Sequence, residues 1–157
     1  MEDNMNDKPR PERKYLPHAF STSVHWTGGR TWTVQCENAY DIDGGPPIDF
    51  GGVPDRWTPE DLMLASVNSC HVSTFISLSI RKGFEFVSLD SSIEGTLEHD
   101  GKGYVFTAMV IYPRIVVKSD ADIEIARGYL ERAHETCFMG NSVTAKVTME
   151  PEIIVAK

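Results

Sequence analysis

Two histidine–cysteine pairs carry the chemistry that this sequence offers: Cys70-His71 in the stretch NSCHVSTF, and His134-x-x-Cys137 in ERAHETCFMGNS. Cysteines in such a setting can pack as small hydrophobes, bind a metal as thiolates, or form a dithiol in which one sulfur is oxidised and the other resolves it. His134 and Cys137 lie one helical turn apart and could share a zinc ion. Adjacent Cys70 and His71 point about 100° apart on a helix and do not easily join them. The dithiol needs a thiolate, and burial opposes ionisation, so a cation must stand beside it. Arg30, in the turn TGGR, and Arg56 are the candidates, because a guanidinium stays charged and donates several hydrogen bonds at once. A buried arginine in turn calls for a carboxylate, and Glu60 is the candidate. Each of these residues also has an ordinary reading: Arg30 as an exposed hairpin residue, Glu60 as a carboxylate favoured at a helix start, and the cysteines as core. Cys36, the third cysteine, falls on a strand pattern and reads as packing.

The elements that would position these groups follow from the pattern. Val24 and Trp26, then Trp32, Val34 and Cys36, alternate around Thr27–Arg30, which predicts a hairpin. A long Gly- and Pro-rich stretch follows, with a short strand expected near Ile48–Phe50. Thr58 is placed as an N-cap, with Pro59 at the first helical position and Glu60 and Asp61 in the first turn. From Leu62 to Ile80 apolar residues fall on nearly every side, predicting a central, largely buried helix that ends at Arg81, Lys82 and Gly83. Strand-like runs flank HDGKG and predict a second hairpin. Ser119 or Asp120 opens a second helix, on which Ile123, Ala126, Leu130, Ala133 and Cys137 recur at spacings of three and four. Val143, Ala145, Val147 and Met149 alternate as one final half-buried strand.

A chain of 157 residues, 41% hydrophobic, suffices for one core and not for two. The expectation is a flexible arm over residues 1–20, rich in proline, and a single domain over 21–157. A formal charge of −8 without a basic cluster argues against a nucleic-acid surface. No apolar run approaches the ~20 residues of a membrane span, and the polar, prolyl start lacks the apolar centre of a signal peptide, so a soluble, cytoplasmic protein is expected, with small molecules or proteins as partners. Three widely spaced cysteines are too few for a disulfide scaffold.

TPEDLMLASVNSCHVSTF, followed 67 residues after its cysteine by the cysteine of ERAHETCFMGNS, resembles the OsmC/Ohr family of hydroperoxide-reducing proteins, and the likeness runs from Val24 to Val155. The resemblance implies an α+β fold of antiparallel sheets with two central helices, assembled as an intertwined homodimer with active sites at the subunit interface. It implies that Cys70 is the peroxidatic cysteine and Cys137 the resolving one, that Glu60 is the active-site glutamate and Arg30 the arginine, and that a dithiol, lipoyl groups in characterised members, is the reductant. Phe138 and Met139 depart from the pattern, since many members have a proline there. His71, directly after the first cysteine, suggests the broader OsmC-like branch.

One expectation needs no family. Glu60 and Cys70 are ten residues apart on one helix, about 15 Å along its axis, too far to share one arginine within a chain. Two copies of the helix crossing antiparallel near the small residues Ala65 and Ser66 would bring Glu60 of one chain towards Cys70 of the other. In the resulting scheme Cys70 attacks an organic hydroperoxide, Cys137 closes a disulfide, and no cofactor is required; Leu64, Val67, Phe75, Phe138 and Met139 are candidates for an apolar wall. The alternatives are a non-enzymatic dimer holding an apolar ligand in the same cavity, and a zinc module.

Overall fold

The computed structural model describes residues 15–157. Of the expected arm, residues 1–14 lie outside the described residues; residues 15–22 are exposed and carry no regular structure. β1 (Ser23–Gly28) and β2 (Thr31–Gln35) form the expected hairpin, and β3 (Ile42–Gly44) adds antiparallel to β2, making a three-stranded sheet. The expected strand at Ile48–Phe50 is instead a turn of 3-10 helix. Pro46 and Pro47 precede it and supply no ladder donors, and the Gly51 and Gly52 N–H groups turn back onto the Ile48 and Pro47 carbonyls at 2.9 and 3.0 Å.

α1 (Pro59–Lys82) begins where the sequence placed it. Thr58 Oγ1 accepts from the Asp61 N–H at 3.0 Å while the Asp61 carboxylate accepts from the Thr58 N–H at 3.1 Å, a reciprocal capping box. It ends at Gly83, whose φ of 65° lets the chain leave in the left-handed conformation. The expectation of burial on nearly all sides is corrected. Within one chain the helix buries a single stripe, Val67, His71, Phe75 and Ser79, at intervals of four, while Met63, Ile76 and Ile80 stay exposed. By length and composition α1 is also long and apolar enough to cross a membrane, which qualifies the expectation that no run approaches that length. In the fold its buried stripe packs on protein.

β4 (Ser88–His99) and β5 (Tyr104–Val117) form the long hairpin around Asp100–Gly103, where the Asp100 carboxylate accepts from the Lys102 and Gly103 N–H groups. α2 (Ala121–Thr136) follows, and then the chain returns along the other side of β5. The single final strand expected is two, β6 (Lys146–Met149) and β7 (Glu152–Val155), both parallel to β5, so the four-stranded sheet is mixed. The break has a backbone cause. Ile111 and Val117 carbonyls accept from Glu150 and Ala156 N–H groups, so the odd-numbered residues of β5 address this side, and among them Pro113 has no N–H to give. Pro151 sits across from the same gap.

The odd-numbered β5 residues Met109, Ile111, Pro113, Ile115 and Val117 are buried, and their side chains meet the two helices. Phe75, Ile115, Val117, Ala126, Leu130 and Ala133 make one core cluster; Val67, Met109 and Ile111 make a second. The stripe expected on α2 is thus the one it buries. Gly95 on β4 admits α1 closely: a Cβ there would stand 2.7 Å from both Leu64 Cδ2 and Phe106 Cε1.

Candidate active site

The α1·α2 contact brings together the two cysteines. Cys137 ends α2, so that the apolar stripe of that helix carries its side chain inward, where it is 1% exposed. Its Sγ lies 3.8 Å from the Val67 carbonyl, one turn before Cys70 on α1, and receives the Gly140 N–H at 3.3 Å from the turn that follows α2. Burial pushes the Cys137 thiol above its ordinary pKa, the Gly140 N–H draws it back in part, and the neighbouring Cys70 pushes it up again. Cys70 is half-buried and opens onto a groove between the helices, while both thiols and that of Cys36 are free. Cys36, read as packing, is exposed.

Behind the cysteines lies a contact the sequence did not reveal. His71 is fully buried, with the His134 ring edge-on to it at a centroid distance of 6.2 Å. Neither ring nitrogen of His71 has a hydrogen-bond partner of normal geometry. Its burial lowers its pKa, the nearby Leu130 backbone offsets part of this, and His134 lowers it further, so the imidazole is held neutral. The signal was in the sequence: His71 falls on the Val67–Phe75–Ser79 stripe at i+4, and His134 precedes Cys137 by one turn. Among the described residues no group of three His, Cys, Asp or Glu side chains is arranged to hold a metal ion.

The other candidates stand apart from the thiols within one chain. Glu60, at the far end of α1, lines a cavity of about 360 Å³ with Met63, Leu97, Phe106, Val143 and Ala145, and its Oε2 is buried there without a partner. Arg30 is exposed in the β1–β2 turn, its guanidinium lying over the Gly51 backbone. Arg56 is exposed too and donates to the carbonyl of its neighbour Asp55 at 3.0 Å. Neither guanidinium is among the ion pairs of the described residues, which are Arg114–Glu152, Lys118–Glu85, Arg127–Glu124 and Arg132–Glu135. Of the residues suggested for an apolar wall, Val67 and Phe75 belong to the core, whereas Phe138, 75% exposed, flanks the groove at Cys70. Within one chain the unpartnered Glu60 Oε2 and the two cysteines therefore line different spaces, with Glu60 and Cys70 ten residues apart on α1.

A long helix bearing one cysteine, laid with a second helix on a mixed sheet and meeting a second cysteine just past that helix, is the arrangement of a known class. The chain belongs to the family described as OsmC-like protein, whose sequence profile matches residues 52–152. An uncharacterised Bacillus subtilis protein, YmaD, is 22% identical over 142 residues, covering 88% of this chain and 95% of its own. Among solved structures, an OsmC-like protein of unknown function from Vibrio cholerae superposes with a TM-score of 0.78 at 23% identity, over 86% of this chain and 99% of its own. An organic hydroperoxide resistance protein from Elizabethkingia anophelis does so at 0.71 and 18% identity, over 91% and 100%. These likenesses fix the fold as OsmC-like.

Proposed function

We propose that this protein reduces organic hydroperoxides to alcohols with Cys70 as the attacking sulfur and Cys137 as the resolving one. The observation that carries this reading is the approach of two cysteines 67 residues apart to neighbouring positions between α1 and α2, both free. The Cys70 thiolate attacks the terminal oxygen of the hydroperoxide; the O–O bond breaks, the alkoxide takes a proton and leaves as alcohol, and Cys70 becomes a sulfenic acid. The Cys137 sulfur then displaces that hydroxyl as water and an S–S bond forms. An external dithiol returns the pair to two thiols and is itself oxidised to a disulfide. Family membership supports the peroxide-related reading, as do relatives of the same fold named for organic hydroperoxide resistance, one of them from Legionella pneumophila.

In this scheme a second copy of the chain completes the site. Glu60 Oε2, buried and unpartnered, awaits a donor, and the exposed Ile76 and Ile80, one turn apart, together with Met63 nearer the start of α1, leave apolar surface that its own chain does not cover. Antiparallel crossing of two α1 helices near Ala65 and Ser66 would bring the second copy's Glu60 towards Cys70, with Arg30 between them to hold the thiolate and stabilise charge developing on the peroxide. Arg30 is preferred to Arg56 because its guanidinium makes no hydrogen bond among the described residues, whereas Arg56 is already turned onto Asp55. A second reading, a dimer that holds an apolar ligand without catalysis, draws on the apolar cavity at Glu60.

The test is intact mass under non-reducing conditions after one equivalent of cumene hydroperoxide is added to reduced protein. Loss of two hydrogens in the wild type is expected, with an oxygen adduct at Cys70 only in Cys137→Ser and no oxidation at position 70 in Cys70→Ser. Wild-type protein unchanged over minutes would return the cysteines to packing and leave the ligand-binding reading.

A further inference from the structure

The groove onto which Cys70 opens, about 490 Å³ between α1 and α2, leads away from the sulfur towards two arginines, Arg81 and Arg132, and no carboxylate lines it. In a chain of net charge −8 this is an unusual local balance. Along α1 the groove follows one face, Cys70, Thr74, Ser77 and Arg81, at the spacing of successive turns. Of the four hydroxyls on its walls, three are occupied and that of Ser73, among the described residues, is not. Thr74 donates to the Cys70 carbonyl at 2.8 Å, Ser77 to the Ser73 carbonyl at 2.8 Å and Thr136 to the Arg132 carbonyl at 2.7 Å. With these three protons spent on the helices, the Ser73 hydroxyl and the two guanidiniums are the donors left to meet a ligand, and only the guanidiniums carry charge.

Their positions set a length. Arg81 lies eleven residues beyond Cys70, about 16 Å along the axis, shortened because long side chains lean towards the helix N-terminus. Arg132 lies five residues before Cys137, about 8 Å. Arg132 donates from Nη1 to Glu135 at 2.9 Å, which leaves its other N–H groups uncommitted, and Arg81 has no ion pair among the described residues. Phe138 and Leu78 give apolar surface between the two poles.

We propose that this groove is a subsite for a straight-chain carboxylate, with the reacting atom at Cys70 and the carboxylate at Arg81 and Arg132. The inference deepens the reductase reading and rests on it for the identity of the reacting atom. One chemistry has two sources here: a hydroperoxide that bears a remote carboxylate, or a reducing dithiol that bears one.

Occupancy is tested without turnover. Reduced protein is alkylated with iodoacetamide, and modification of Cys70 is followed by peptide mass, with exposed Cys36 as internal control. Decanoate below its micelle concentration is expected to slow alkylation of Cys70 about three- to tenfold relative to decan-1-ol, the range open to two solvent-exposed ion pairs, and to do so less as salt is raised. The preference should vanish in R81Q/R132Q, whose Cys36 rate and thermal unfolding should match the wild type. Equal protection by acid and alcohol, or undiminished protection by decanoate in the double variant, overturns the proposal.

The two sources are then separated by rate. A hydroperoxy acid oxidising Cys70 faster than its methyl ester assigns the groove to substrate; dihydrolipoate reducing the disulfide faster than dihydrolipoamide assigns it to the reductant. No charge preference in either step overturns the proposal. If decanoate protects while cumene hydroperoxide leaves Cys70 unoxidised, the groove stands and the reductase reading falls.

Discussion

Cys137 has to attack as a thiolate, yet the fold works against its ionisation, and this makes the second chemical step sensitive to pH in a defined way. The sulfur is buried and its pKa raised above the ordinary thiol value, with the Gly140 N–H, at 3.3 Å, and the Met139 backbone in opposition. At neutral pH its thiolate is therefore a smaller minority than that of a free thiol. Below its pKa that fraction grows tenfold per pH unit, so the rate of disulfide closure should rise close to tenfold between pH 6 and 7 and again between pH 7 and 8. Burial lowers the pKa of His71 behind it and so favours the uncharged imidazole. The assay is rapid mixing with excess cumene hydroperoxide followed by acid quench and mass analysis, which separates the sulfenic acid of Cys70 from the disulfide. Cys137→Ser, which stops at the sulfenic acid, supplies the pH dependence of the first step alone. A closure rate that varies less than about twofold from pH 6 to pH 8 would refute the reasoning; it would mean that Cys137 is ionised in the oxidised intermediate, or that opening of the α1·α2 contact limits the step.

Three further outcomes follow from the packing. Gly95→Val places a side chain 2.7 Å from Leu64 Cδ2 and Phe106 Cε1, and over-packing of this kind costs about 1–3 kcal/mol; a Tm equal to that of the wild type would show that α1 does not approach β4 as described. His71 has a folded pKa below its unfolded value of about 6.5. The stability its neutral form contributes is therefore complete above the unfolded pKa and is lost as pH falls through the folded one. Denaturant unfolding of His71→Leu should accordingly depend less on pH below 6.5 than the wild type, and parallel profiles would remove His71 as the cause. Ala65→Arg puts a charge where two α1 helices would cross, beside a cavity of about 580 Å³ lined by Trp57, Leu64 and Ile93; sedimentation should show a monomer without peroxidase activity. A wild-type monomer with full activity would defeat the shared site altogether.

Local chemistry was legible in the sequence. The Thr58–Asp61 cap, the Gly83 exit, the two hairpin turns and the α2 stripe are each set by residues within a few positions of one another, and the chain realises them as read. The pairing of Cys70 with Cys137 was available only through a resemblance of motifs, because no local rule fixes how two helices 38 residues apart will lie. Other features depended on what the neighbours supply. Pro46 and Pro47 turn the expected strand at Ile48–Phe50 into a 3-10 turn, and Pro113, with no N–H to offer, faces the break that divides the last strand in two.

The apolar composition of α1 announced that the helix would be buried without saying by what. The tertiary structure assigns one stripe to the sheet and α2 and leaves Met63, Ile76 and Ile80 outside. Residue types and their periods thus determined where the helices and turns form and which residues are chemically capable, since hydrogen-bonding and capping are contacts between near neighbours in the chain. Which thiol meets which, that His71 is sealed against His134, and that Glu60 lines a cavity while Cys70 opens onto a separate groove were decided by packing, where the burial of one side chain depends on partners far away in sequence.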